Sequence, residues 1–182
     1  MADIAQERPH GHGFDSIELV GTMVKLRPTA KADAKRAYAL HTYEPDFTRF
    51  LAWSSPKSAA ELSETYGERW QEEMHGGQGY ALAIEERLAP DISGSIHLHL
   101  GSYPAQVDVG YWLGKPSRNR GYMSEALGLV CRFGFEYLGA GVISGSVSVG
   151  NAASRRVMES IGFKLDGSLR RHILKDGQWI DI

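Results

Sequence analysis

The chain has a single cysteine, Cys131, among its 182 residues. One thiol excludes an intramolecular disulfide and any zinc site built on several cysteines, and it fits a reducing cytoplasm. Long apolar runs are missing too. No uninterrupted stretch approaches the roughly 18 residues of a transmembrane helix. The opening residues MADIAQERPHGHG have neither the basic start nor the apolar run of a signal peptide. An excess of one charge is also missing: 20 Lys and Arg stand against 22 Asp and Glu, a formal net charge of −2. Binding to nucleic acid or to an anionic membrane through the overall field is therefore not expected, and any polyanion site must be a local cluster. No internal repeat or linker interrupts the chain after residue 14. The expected organisation is a flexible tail over 1–13 followed by one domain over 14–182, which is enough chain for a sizeable core. His10 and His12 are read as part of that tail rather than as metal ligands.

Turn and cap signals divide the domain. Ile17–Arg27 (IELVGTMVKLR) mixes β-branched and alternating apolar residues and is predicted as one strand stopped by Pro28. Thr29 is placed as the cap of a helix over Ala32–His41. Pro45–Ser55 is a broken stretch with Phe47, Phe50, Leu51 and Trp53. Pro56 and Ser58 open a second helix, Ala59 to about Met74, ended by Gly76 and Gly77. In it Leu62, Tyr66 and Trp70 recur every four residues as one buried stripe. Strands Gly79–Glu85, Ile92–Leu100 and Val107–Leu113 follow with short connections, which implies antiparallel hairpins. Then come a helix from Gly121 to about Leu138, a strand Val142–Val149 and a helix Ala152–Ile161. Phe163–Leu165 and Arg171–Leu174 are extended, and Trp179–Ile182 begins a last strand. This order predicts an α/β (α+β) fold. Its mixed, mostly antiparallel central sheet has about six to seven strands, flanked by about four helices, with only the unit 107–149 pairing in parallel.

One segment carries chemistry: Lys115-Pro-Ser-Arg118-Asn119-Arg120-Gly121-Tyr122-Met123-Ser124-Glu125 follows a strand and opens a helix. Three of its first six residues are cationic. Gly121 lies at the turn, where the missing Cβ permits close approach of a ligand to the backbone. The first N–H groups of a helix have no internal partner and sit at the positive end of its dipole. A phosphate or pyrophosphate fits such a site. No Lys-Ser or Lys-Thr follows Gly121, so the segment is not a P-loop, and GxGxxG is absent as well. The bland alternative is a solvated basic helix start.

Arg118-Asn-Arg-Gly121-Tyr-Met123 resembles the (Gln/Arg)-x-x-Gly-x-(Gly/Ala) motif of the GNAT N-acetyltransferases. Val109-Gly-Tyr-Trp-Leu113 looks like the Gly-Tyr-Trp strand of the RimJ/RimL-like branch. Asn151-Ala-Ala-Ser154, continuing to Glu159-Ser-Ile-Gly162-Phe163, resembles that branch's Asn-x-x-Ser…Glu-x-x-Gly-Phe signature. Phe163-Lys-Leu-Asp166-Gly167 and Asp176-Gly-Gln-Trp-Ile-Asp181 stand where the branch has Gly-Phe-x-x-Glu-Gly and Asp-Gly-x-Trp-x-Asp. The resemblance spans roughly residues 17–182. Met123 departs from the family's small residue, so its side chain is expected to point into the protein. The chain stops four residues after Gln178, earlier than the family's final strand, and the shortened edge suggests either a weakened C-terminal hairpin or completion by a second copy in a homodimer.

The resemblance implies acetyl-CoA as co-substrate, no metal, and direct attack of a primary amine on the thioester. The amine belongs to a protein N-terminus, such as that of a ribosomal protein, or to a small molecule. Backbone N–H groups near Trp112 and Leu113 would polarise the thioester carbonyl. The N–H groups from Arg118 to Ser124 would hold the pyrophosphate, with Arg118, Arg120, Arg155 or Arg156 meeting the remaining charge. Ser154 is the candidate acid for the leaving thiolate, or a plain helix-start residue. Asn151 is its cap, and by resemblance also a pantetheine or acceptor contact. Asp108 and His172 are the candidate bases, each with a surface role as its alternative, and a water chain with no dedicated base is the remaining option. His97 and His99 share one strand face and are read as a solvated face rather than a metal pair. Cys131 is read as packing. Phe47, Phe50, Trp53 and Trp70 are read as core, or as the wall of an acceptor pocket. A non-catalytic acyl-CoA-binding module is the alternative to the enzyme.

Overall fold

The computed structural model describes residues 17–44, 46–101 and 105–182. The expected tail over 1–13 lies outside these residues. Six strands form one sheet: β1 (Leu19–Val20), β2 (Val24–Pro28), β3 (Gly79–Glu86), β4 (Ala89–Leu100), β5 (Gln106–Leu113) and β6 (Val142–Ser144), in that spatial order. Every neighbouring pair is antiparallel except β5 with β6. The helices are α1 (Ala34–Thr42), α2 (Ala59–Glu64), α3 (Trp70–His75), α4 (Tyr122–Glu136) and α5 (Ala152–Ser160). A separate hairpin of β7 (Ile173–Lys175) and β8 (Gln178–Ile180) stands off the main sheet. The mixed, mostly antiparallel six-stranded sheet with helices on it is the expected fold.

Two cores cover the two faces. Strand alternation sends Val107, Val109 and Tyr111 of β5 to one face, where Leu127 and Val130 of α4 are fully buried. Burying each such side chain contributes about 1.5–3 kcal/mol. The other face meets Ala37 and Leu40 of α1, Leu62 and Tyr66, with Trp112 of β5 among them.

Four local expectations need correction. The segment 17–27 is a hairpin, not one strand. The Glu125 carboxylate accepts the N–H groups of Thr22, Met23 and Val24 at 2.7, 2.8 and 2.9 Å, and this pins the turn onto the start of α4. Thr29 does not cap the first helix. It is buried with its N–H on Ala81 O at 3.0 Å, and Asp33 Oδ2 instead accepts Ala30 N–H at 2.8 Å. The helix over 59–75 is not regular, because a π-helical turn over Thr65–Arg69 separates α2 from α3. The stripe survives: Leu62 and Tyr66 are buried, and Tyr66 stacks on Trp70 at 4.5 Å.

The fourth correction is functional. The strand expected over 142–149 ends at Ser144, because β5 and β6 pair only from Gln106/Val142 to Asp108/Ser144. Gly145 still lies close to β5, where an added Cβ would stand 3.0 Å from Val109 O. Beyond this point 145–149 turns to other partners, with Ser148 Oγ donating to Phe50 O at 2.9 Å and Val149 N–H to Asp181 O at 2.9 Å. The result is a notch in the sheet. Near the end of the chain, Leu169 and Ile182 exchange backbone hydrogen bonds of 2.8 and 3.0 Å.

Candidate active site

The notch opens into a cleft of about 1200 Å³, lined by β4, β5, the start of α4, the start of α5 and the cover formed by α1 to α3. The peptide groups of β5 decide what faces it. Gly101 N–H donates to Gln106 O at 2.9 Å and Gly114 N–H to Ser93 O at 2.8 Å, so the even-numbered residues of β5 bond β4. The odd-numbered ones turn their peptide groups to the β6 side. Leu113 therefore directs its N–H to the open edge, whereas the Trp112 N–H lies on the ladder side opposite Ser95. Of the two amides expected at the thioester, the geometry brings Leu113 to the notch and not Trp112. The Trp112 side chain instead packs in the second core and lines the cleft from that face.

The chain then makes a turn of 3-10 helix over Lys115–Ser117 and passes through two left-handed residues, Asn119 at φ 62° and Gly121 at φ 81°, before α4. Asn tolerates this conformation better than most residues, and Gly adopts it without strain. Such a sequence turns successive N–H groups toward one concavity. Among the described residues, the N–H groups from Asn119 to Ser124 meet no backbone or side-chain acceptor. Met123 is buried in the core, as its departure from the motif requires.

The arginines are placed less simply. Arg118 donates from Nε to Leu113 O at 2.9 Å and pairs with Glu44 at 2.7 Å, so its charge bridges the loop to the cover. Arg120 lies 3.6 Å from Glu86. Arg155 is exposed and paired with Glu159 one turn on, outside the cleft lining, whereas Arg156 is part of the lining.

Ser154 and Asn151 are brought together at the start of α5. Asn151 Oδ1 accepts Ser154 N–H at 3.1 Å, which is the expected cap, and both residues line the cleft. Asp108 lies at the cleft lip. Desolvation there pushes its carboxyl pKa upward, against a 3.1 Å hydrogen bond from Ser144 and the charge of His99 opposite it. His172 is not brought to the site: it is exposed, lies outside the lining, and its N–H donates to Ile180 O at 3.0 Å.

His97 and His99 both line the cleft; His99 is exposed, as a solvated face requires, whereas His97 is drawn in. His97 sits edge-on to Trp70 at 4.0 Å, and burial lowers its pKa to about 3. Phe47, Phe50, Trp53 and Trp70 all line the cleft, and Phe47 and Trp70 also pack in the second core. Among the described residues, no group of three or more His, Cys, Asp or Glu side chains is gathered as a metal site. No described helix is long and apolar enough to cross a membrane. Burial pushes the Cys131 thiol up to about 11, away from nucleophilic use.

Residues 24–164 match the family of acetyltransferase (GNAT) domains. The chain belongs to the GNAT acetyltransferase family. One relative, the uncharacterized N-acetyltransferase YoaA of Bacillus subtilis, is 27% identical over 156 residues, covering 84% of this chain and 85% of its own. Two solved structures share the fold. RimJ of Mycobacterium smegmatis in complex with CoA-disulfide has a TM-score of 0.76 at 21% identity, covering 87% of this chain and 78% of its own. RimL, a ribosomal L7/L12 alpha-N-protein acetyltransferase, has a TM-score of 0.79 at 19% identity, with coverage of 91% and 90%.

In this acetyltransferase several cleft-supporting residues were not singled out from sequence. His41 is buried between Phe47 at 4.5 Å and Trp112 at 4.6 Å, and burial lowers its pKa to about 4. Glu86 holds the loop before α4, accepting from Ser117 Oγ at 2.7 Å and from the Tyr122 hydroxyl at 3.2 Å. Tyr111 approaches Ser154 at 2.9 Å. Neither Glu86 nor His41 carries a spacing signal, since each meets its partners only after the sheet has formed. Tyr111 lies inside the Gly-Tyr-Trp motif, and alternation with Trp112 was the one available clue to its face.

Proposed function

We propose that this acetyltransferase carries an acetyl group from acetyl-CoA to a primary amine at a protein N-terminus. The supporting observation is that one cleft gathers the Leu113 N–H at the open notch, the unpaired N–H groups of Asn119 to Ser124, and the Ser154 hydroxyl. These residues fit the coenzyme: the Gly121 turn carries no side chain toward the ligand, and the free amides match pyrophosphate oxygens. When bound, acetyl-CoA supplies the acyl group as a thioester.

The residues then have distinct tasks. Leu113 N–H donates to the carbonyl oxygen, where charge builds during attack. The amides of Asn119 to Ser124 hold the pyrophosphate, and Arg156, which lines the cleft, adds charge there. Ser154 donates a proton to the leaving sulfur, and Asn151 holds Ser154 in place. Asp108, with its raised carboxyl, accepts the proton that the amine sheds. The aromatic cover excludes water from the acceptor side. RimL and RimJ share this fold, and the name of the first specifies a protein α-amine; this supports a protein N-terminus as acceptor.

The test is a panel of N-terminal peptides and small amines incubated with acetyl-CoA, read by released thiol and by mass spectrometry. Acetylation at the peptide α-amine is the expected result. Acetylation confined to small amines overturns the protein acceptor, and absence of thiol release across the panel overturns the amine reading. Coenzyme A should raise the melting temperature, and ATP should not; equal shifts defeat the coenzyme assignment.

A further inference from the structure

Tyr111 stands directly behind Ser154. Alternation along β5 sends its side chain to the face opposite Trp112, toward α4 and α5. There its phenol oxygen lies 2.9 Å from Ser154 Oγ and 3.3 Å from Ser154 O. Both residues line the cleft. Burial raises the phenol pKa, and the hydrogen bond to Ser154 opposes this only in part, so the group keeps its proton at neutral pH.

That single proton has two acceptors, and the choice decides what Ser154 can do. With the phenol donating to Oγ, the serine proton cannot point at Tyr111 and is free to reach into the cleft. With the phenol donating to the Ser154 carbonyl, the serine hydroxyl donates to the phenol oxygen, and its proton is withdrawn from the cleft. The backbone at this point is already held by the Asn151 cap. The two hydroxyl rotors are the remaining freedom.

We propose that Tyr111 is a positioning residue for acetyl transfer, whose hydroxyl donates to Ser154 Oγ and so aims the serine proton at the leaving sulfur. The inference rests on the reading of Ser154 as the acid. In the step, the amine nitrogen bonds the acetyl carbon, and the carbon–sulfur bond breaks with its electron pair on sulfur. Ser154 gives its proton to that sulfur. The proton shed by the amine returns to Ser154 through Asp108 and water. Tyr111 keeps its own proton and stabilises the charge that develops on Oγ.

A double-mutant cycle tests this, with kcat, KM for both substrates and coenzyme A affinity measured for Tyr111→Phe, Ser154→Ala and the double variant. Tyr111→Phe removes one oxygen atom and should lower kcat by about fivefold to tenfold, the worth of one hydrogen bond. Both KM values and coenzyme A affinity should stay within twofold, a split that a merely structural phenol would not produce. In the Ser154→Ala background the same change should have no further effect on kcat. An equal loss in both backgrounds means that the phenol acts by packing and overturns the inference. So does an unchanged kcat in Tyr111→Phe while Ser154→Ala is impaired. If Ser154→Ala itself turns over normally, the acid assignment fails, and the inference fails with it.

Discussion

The two walls of the cleft are built on different principles. The wall proposed for the coenzyme is one continuous piece of chain, Leu113 to Ser124, and the groups it offers are peptide N–H groups set by φ angles. It is anchored on both sides by carboxylates: Glu86 takes Ser117 and Tyr122, and Glu125 takes the β1–β2 turn. The wall proposed for the acceptor is assembled from side chains far apart in sequence, among them His41, Phe47, Trp53, Trp70, His97 and Trp112. Its polar atoms are poorly provided for: both ring nitrogens of His41 and Nε2 of His97 are buried without a hydrogen-bond partner. One wall offers peptide N–H groups whose directions are fixed by local φ angles, whereas the other offers aromatic surface whose shape depends on side chains from several elements.

The largest expected effect breaks the acceptor wall with acid. His41 titrates near 4 in the folded chain against about 6.5 unfolded. The unfolded state therefore binds more protons between these values, and stability falls as pH drops from about 6.5 to 4. The His41 contribution is about 3 kcal/mol, and His97 adds to the loss down to about 3. Denaturant midpoints measured from pH 7 to pH 4 should fall steeply, and His41→Phe should flatten the slope. A flat wild-type profile would show that the imidazoles reach water.

The coenzyme wall should break at Gly121. Placing a β-branched side chain at φ 81° costs about 1–2 kcal/mol. Gly121→Val is expected to raise KM for acetyl-CoA about tenfold or more while leaving KM for the acceptor unchanged. A change confined to the acceptor would reverse the assignment of the two walls. Trp53→Ala is the mirror experiment: KM for the acceptor should rise about fivefold, corresponding to about 1 kcal/mol of lost aromatic contact, with the acetyl-CoA KM unaltered. The smallest effect concerns the link between the walls. The Glu44–Arg118 pair is partly exposed, so Glu44→Gln should change either KM by about twofold at most. Isothermal titration with each substrate in the presence of the other would show whether the walls communicate through this pair.

Legibility followed the same division. The loop from Arg118 to Ser124, the Asn151 cap and the order of strands and helices could be read directly, because local rules of periodicity, capping and helix-terminus electrostatics act over a few residues. The Gly21 turn was missed because Glu125, about a hundred residues away, fixes it. His172 was expected on the acceptor side, but the β7–β8 hairpin carries it to the surface. The even and odd peptide groups of β5 separate Leu113 from Trp112 only once the β4 register is known.

The sequence by itself therefore determined that a strand runs through a basic glycine turn into a helix start, and that Asn151 caps Ser154 on the next helix. These depend on neighbours in the chain, and short-range geometry is fully encoded there. Only the tertiary structure decided where β5 and β6 part. It also decided which amide faces the gap, which arginines are already neutralised by carboxylates, and that Tyr111 reaches Ser154. Each of these is a meeting between residues brought together by sheet register and packing, and register is set by the whole buried pattern rather than by any single segment.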